Sequence, residues 1–442
     1  MTKLTRRELL SRLSAAAAAR AAGAAAGKDS PDNPLPPGGP AALAPAAEQM
    51  REMGRPVPGM MARMQTPLTA VTFPRWEPGR IYSPPPPLMG RQMGRVHTLN
   101  VPPLGYELDG RVKVFRLIAQ PVRQLLTNGR RPPLPRFGPN AADYLPDVER
   151  NISNPPGRMM RMDVEPKEIL GWGYNGVIPG PTIEITEGDR VRIILTNELP
   201  EPTSIHWHGL EVPNVQDGAS PEAHPPVPPG GTHVYEFTVY QAGTTLYHSG
   251  FNIMKQDLMG LGGLFVMHPR DERSPPDRDF ALLHQAWFLA PGNPNPDVTR
   301  EQPNWTAFSG KVAPSIEPMT VREGERVRIR QGNLSVMNHH PIHFHGYTFT
   351  VVGTTGGLLP ETARYPDNTI LVPIGSTRDI EFTAWNPGIW RFHCHIAHHV
   401  MNAMTDMPMG LMPHGGMFTH LIVEPKDPSA PWRHPREKEF AR

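Results

Sequence analysis

The chain has 442 residues, 38% hydrophobic and 19% charged, with a net charge of +2. That is enough for two or three domains with apolar cores, and too little charge of one sign to argue for a nucleic-acid partner. With 56 prolines and 41 glycines it is not built of packed helices throughout. One cysteine excludes an intrachain disulfide, and no run of about eighteen apolar residues marks a membrane span.

The N-terminus reads Thr5-Arg6-Arg7-Glu8-Leu9-Leu10, then an alanine-rich run ending Ala24-Ala25-Ala26. Residues 1–26 are predicted to be a twin-arginine export signal with a small-residue cleavage site, giving a periplasmic or extracellular protein. The competing reading is an alanine-rich helix with incidental arginines, and Arg20 within the apolar stretch favours it. Lys3, Arg6, Arg7, Arg12 and Arg20 against Glu8 give this segment +4, so cleavage leaves about −2 and weakens a nucleic-acid role further.

Residues 27–105, rich in Pro, Ala, Met and Gly, read as a mobile linker or a wrapped arm. Residues 111–120 (RVKVFRLIAQ) alternate as a strand does. Residues 121–166, with Pro132-Pro133 and Pro155-Pro156-Gly157, read as a long loop or insertion. An internal repeat follows. Glu187-Gly188-Asp189-Arg190-Val191-Arg192-Ile193 returns as Glu323-Gly324-Glu325-Arg326-Val327-Arg328-Ile329, each a turn leading into a strand. Tyr235-Glu236-Phe237-Thr238, Gly243 and Leu246-Tyr247-His248-Ser249-Gly250 return as Ile380-Glu381-Phe382-Thr383, Gly388 and Arg391-Phe392-His393-Cys394-His395. The expectation is an all-β chain of two related Greek-key sandwiches, over about 106–270 and 271–442.

Cys394 lies in the run His393-Cys394-His395-Ile396-Ala397-His398-His399, with Met404 five residues on. A thiolate, two imidazoles and a weak axial thioether are the ligands of a type 1 copper. Cys394, His399 and Met404 supply three of them. His340, opening the run His340-Pro341-Ile342-His343-Phe344-His345, is the candidate fourth. Side chains alternate along a strand, so His393 and His395 point away from the face used by Cys394 and serve a different site. His343 with His345, and His206 with His208, are likewise pairs at a spacing of two. Convergence of three such pairs would bind several copper ions.

As a set, His206-Trp207-His208-Gly209, Tyr247-His248, the His340 to His345 run and the His393 to Met404 run resemble the four copper motifs of multicopper oxidases, in particular two-domain, laccase-like members. The resemblance implies cupredoxin-like domains with type 1 copper in the second. It implies type 2 copper on His206 and His343, one type 3 copper on His208, His248 and His395, and the other on His345 and His393. It further implies single electrons taken from a phenol, an aromatic amine or a low-valent metal ion and passed to dioxygen. It also implies a homotrimer, because the domain 1 and domain 2 pairs of such members meet between subunits in a closed ring.

Gly250 departs from the family pattern, which has histidine there; the internal repeat agrees by aligning Gly250 with His395. One type 3 copper is thus a ligand short. The expectation is a weakened cluster, with replacement by Asn252 or Gln256 disfavoured because amides suit copper less well than imidazole. Asp217 is placed by the resemblance beside type 2 copper as a proton relay; otherwise it is a turn aspartate before glycine. At the position after His399, where many members carry an acid, stands Val400. The methionines at 401, 404, 407, 409, 412 and 417 suit copper(I) docking or an apolar cover. His224, His233, His268, His284, His414 and His420 read as structural or surface residues. The alternative function is a copper-binding or electron-transfer protein with an impaired oxygen site. A copper nitrite reductase is disfavoured because Ser249 holds the first domain's cysteine-equivalent position.

Overall fold

The computed structural model describes residues 94–128, 167–402, 415–427 and 432–440. The predicted export signal, most of the arm, residues 129–166, Met404 and the methionines at 407, 409 and 412 lie outside them. The fold is all-β, with four sheets among the described residues. In the first half, Glu107–Asp109, Val112–Thr127, Lys167–Tyr174, Arg190–Asn197 and Thr232–Thr238 form one sheet. Ile183–Thr186, Gly262–His268, Gly243–Ser249 and Ile205–His208 form the other, in that order. Trp207, fully buried, packs its ring on Tyr235 and Phe237 of the first and on Tyr247 and Phe265 of the second, so the two sheets share one core.

The second half repeats the plan. A five-stranded sheet runs Met319–Arg322, Phe418–Glu424, Gly388–Cys394, His340–Phe344, Thr369–Val372. It faces an eight-stranded sheet that includes Arg278–Trp287, Arg326–Asn333, Thr377–Thr383 and Phe349–Thr354. Leu282, Ile329, Val351 and Ile380 from the larger sheet meet Ile342, Phe344, Phe392 and Leu421 from the smaller in one apolar cluster. Burying these side chains contributes on the order of 2 kcal/mol each.

The repeat extends to backbone conformation. The Glu-Gly turns place Gly188 and Gly324 at φ 87° and 89°, and Gly243 and Gly388 stand at 138° and 140°. These left-handed conformations suit a residue without Cβ. Counting equally far from Glu187 and Glu323 reaches Asn197 and Asn333, both fully buried. Asn197 donates to Glu201 O and Val227 O at 2.9 and 2.8 Å and accepts from Leu199 N–H. Asn333 donates to Asn338 O and Val372 O at 2.8 and 2.9 Å and accepts from Ser335 N–H. Each asparagine ties the end of its strand to the segment leading into the histidine strand.

Two readings of the sequence are refined. The strand predicted over residues 111–120 runs from Val112 to Thr127, correcting the loop expected from residue 121. Arg190–Asn197 pairs with its first half, Val112–Ala119, and Lys167–Tyr174 with its second, Ala119–Thr127, where Pro121 lies opposite Trp172. Of the arm, residues 94–104 wrap: His97–Thr98 pairs in parallel with Phe280 and Ala281 of the large sheet. Thr98 also reaches Thr182 in the first half, and the Arg95 and Val96 amides donate to Glu184.

The two halves pack together through Leu246, Leu264 and Val266 against Ala281 and Leu283. Beside them Arg330, with its guanidinium bidentate on Asp279 at 2.8 and 2.9 Å, donates to Thr244 across the junction. Removing a buried asparagine leaves several polar partners unpaired. Asn197→Ala and Asn333→Ala should therefore each lower stability by about 2–4 kcal/mol, read as a lower urea midpoint.

Candidate metal centres

The strand Gly388–Cys394 alternates by burial, with Phe392 and Cys394 inward, His393 half-buried and the following His395 exposed. Cys394 Sγ lies 3.8 Å from His340 Nδ1 and 3.5 Å from His399 Nδ1. All three residues are buried and form one potential metal-binding group. Ser335 Oγ sits 2.6 Å from His340 Nε2, so that nitrogen is occupied and Nδ1 is left for a cation. The loop carrying His399 is held by Thr306 Oγ1, which donates to the His399 carbonyl, and by Asn402, which bonds both Thr306 and Gly415. Burial pushes the Cys394 thiol up to about 12 and His399 down to about 4. Without a cation this is a neutral pocket of one soft sulfur and two imidazole nitrogens, the donor set that suits copper.

His343, His345, His393 and His395 project from the opposite face of the same sheet. His345 Nε2 and His393 Nε2 are 3.1 Å apart, and the His343 ring lies 4.8–5.7 Å from the other three. His343 Nδ1 is bonded to the Asn368 carbonyl and Thr369 Oγ1, and His393 Nδ1 to the Cys394 carbonyl at 2.8 Å. Each bond directs Nε2 toward the group.

A third group stands in the first half: His206, His208 and His248, with His208 Nδ1 at 3.1 Å from His248 Nε2. Burial and the two neighbouring imidazoles hold His208 down to about 4, so it is a neutral donor at ordinary pH. His206 Nδ1 lies 3.2 Å from Asp217 Oδ2 and 3.1 Å from the Asp217 carbonyl. Asp217 thus sits behind a candidate ligand, holding the ring. Asp257 does the same for His248: its Oδ2 is 3.1 Å from Nδ1, and Oδ1 accepts from Ser249 N–H. Sequence reasoning missed Asp257 and Ser335, which carry no motif.

At Gly250 a Cβ would meet the Gly218 carbonyl oxygen at 2.0 Å and Ser204 Oγ at 2.7 Å. The turn that brings Asp217 to His206 fills this space, and is fastened by Ser204 Oγ to Gly218 O and by Ser220 N–H to Gly250 O. The glycine is therefore packed. Neither proposed substitute reaches the histidines: both hydrogens of the Gln256 amide go to Glu201 and Pro202, its oxygen accepts from Thr203 and Ser249, and Asn252 donates to Glu201.

Two β-sandwiches with a buried Cys-His-His set and seven further clustered imidazoles define a cupredoxin-type copper protein. Comparison extends this. Multicopper oxidase family descriptions match residues 159–272 and 290–407, just over half the chain together. Laccase-19 of Oryza sativa subsp. japonica is 28% identical over 270 residues, covering 55% of this chain and 42% of its own. Dihydrogeodin oxidase of Aspergillus terreus is 33% identical over 173 residues, 36% of this chain and 27% of that protein. The chain spans less than half the length of these relatives. Among solved structures, the blue copper oxidase of Nitrosomonas europaea has a similar fold, with TM-score 0.54 and 24% identity over 74% of this chain and 91% of that one. The chain belongs to the multicopper oxidase family.

Because a side chain at 250 collides with backbone, Gly250→His should lower copper content, contrary to a simple restoration of the missing ligand, and Gly250→Ala should do so too. Asp257→Asn should weaken retention of copper at His248 by about 10–100-fold, measured by chelator competition.

Proposed function

We propose that this chain is a copper-dependent oxidase passing single electrons from a small phenolic, aromatic amine or low-valent metal donor to dioxygen. The observation that carries the reading is the strand Gly388–Cys394, which turns a thiol into the core and His393 to the opposite face one residue away. Bound copper would supply one-electron chemistry at the Cys394 set and dioxygen reduction at the imidazole groups. The chain's own residues do the rest. His340, His399, Cys394 and Met404 would hold type 1 copper. The Cys394 backbone and the hydrogen bond from His393 Nδ1 to its carbonyl join the residues that would hold the two kinds of copper. His206 and His343 are assigned to type 2 copper, and His208, His248, His345, His393 and His395 to type 3 copper. Asp217, against His206 and partly exposed, is placed to pass protons from solvent.

A homotrimer is part of the same proposal, and the separation of the two histidine groups supports it. Among the described residues, the first-half trio and the second-half quartet form separate groups, with no ring contact between them. The trio's sheet packs on the large sheet of the second sandwich, through Thr244 to Asp379 and Arg330. The quartet leaves the far face of the smaller sheet, a sandwich thickness of about 10 Å away. A second copy supplies the missing half-site, and head-to-tail repetition closes as a ring. Residues 1–26 are proposed to direct export.

The runner-up is a copper-binding or electron-transfer protein with an impaired cluster, supported by the seven imidazoles left by Gly250. Oxygen uptake with a phenolic dye separates the two. The copper-loaded protein should show strong blue absorption and oxygen uptake, both lost in Cys394→Ser, and should run as a trimer by light scattering. A colourless copper-loaded protein, or a copper-replete monomer that consumes oxygen, would contradict the respective claims.

A further inference from the structure

The second sandwich keeps a polar pair in its core that the chemistry above does not use. His284, on Arg278–Trp287, and Gln331, on Arg326–Asn333, are both fully buried. Gln331 is in register with Leu282, so it shares a sheet face with Leu282 and His284. That face looks into the core toward the Cys394 set. The His284 ring stands at 87° to the His340 ring with centroids 5.3 Å apart, and it also packs against Phe308 at 5.2 Å. The side chains of His284 and Gln331 lie within reach of each other's polar atoms, and neither makes a well-formed hydrogen bond to any other group. Buried polar atoms without well-formed hydrogen bonds destabilise a fold, and apolar side chains of similar size would pack as well. His284 stands against one ligand of the soft-donor set, with Gln331 beside it, so the polarity of the pair can act on the metal.

We propose that His284 and Gln331 are positioning residues that hold down the reduction potential of the type 1 site through the space around His340. The inference rests on reading His340, Cys394 and His399 as that site. With a thiolate and two neutral imidazoles, the copper(II) form carries a net positive charge; taking up one electron cancels it, with no proton moved and no bond broken. An apolar surrounding favours the uncharged, reduced form. Neutral dipoles paired only with each other can orient toward the positive charge and favour the oxidised form. His284 acts here as a neutral ring.

His284→Phe and Gln331→Met keep ring shape and chain length while removing the polar atoms. Spectroelectrochemical titration of the blue band should show an upward shift of potential in both variants, with the band itself unmoved because no ligand changes. Thermal unfolding of the metal-free protein should occur at a higher temperature in both. Gains in stability with the potential unchanged or lowered in both would overturn the proposal, since they mark a packing role alone. If His284→Phe does not fold, Gln331→Met decides by itself. Absence of a blue band in the unaltered copper-loaded protein would instead remove the underlying type 1 assignment, a result distinct from an unmoved potential.

Discussion

Alternation along a β-strand governs the site. Cys394 and Phe392 face the core, while His393 and His395 face out of the sheet. The neighbouring strand His340–Phe344 obeys the same rule: His340, Ile342 and Phe344 are buried, and His343 with the following His345 leaves on the other side. Register matches the two strands, since Ile342 opposes Cys394 and His343 opposes His393. A slip of one residue would exchange the two sets, sending the thiol to the surface and imidazoles into the core. The bulky core residues Phe344 and Phe392 therefore fix the chemistry as well as the packing.

The first half uses the same device with one face empty of metal donors. Ile205 and Trp207 turn inward while His206 and His208 turn outward. Ser249 occupies the place of the thiol, buried and bonded to Gln256. At Gly250 the halves diverge, and the reason is steric. The first half spends that space on the turn through Asp217 and Gly218, which bears on His206. In this chain the Gly218 carbonyl of that turn and Ser204 Oγ occupy the space a side chain at 250 would need. The missing imidazole thus belongs to a packed alternative, although the sequence alone suggests a ligand simply lost.

Much of this was legible because strand period, turn glycines and ligand spacing are local. The Glu-Gly repeats located equivalent strands, and the HxH pairs announced which side chains share a face. What was not legible depends on distant partners. Asp257 comes from a short helix, Ile253–Met259, and only the fold brings it to His248. Ser335 precedes His340 by a loop whose path is set by Asn333. Residues 121–127 read as the start of a loop, yet pairing with Lys167–Tyr174 continues the strand through them, a tertiary override of the local signal. His284 read as a structural or surface histidine, since nothing local reveals that its ring packs beside His340 with Gln331 as its polar neighbour.

The junction between the halves explains why the two half-sites face different directions. Leu246 and Leu264 share the trio's sheet face and pack on the large sheet, where even a Cβ on Gly332 would meet them at 2.7 Å. Thr244, on the same face, is bonded to Asp379 and Arg330, both fully buried, so sliding the halves past each other would strand charged groups without partners. Residues 94–104 add bonds to both halves, through Glu184 and Thr182 on one and Ala281 and Glu317 on the other. The trio is thereby pinned to one side of the second sandwich while the quartet leaves the other. A junction tied by so many buried bonds holds the trio and the quartet apart within one chain, each in a fixed orientation.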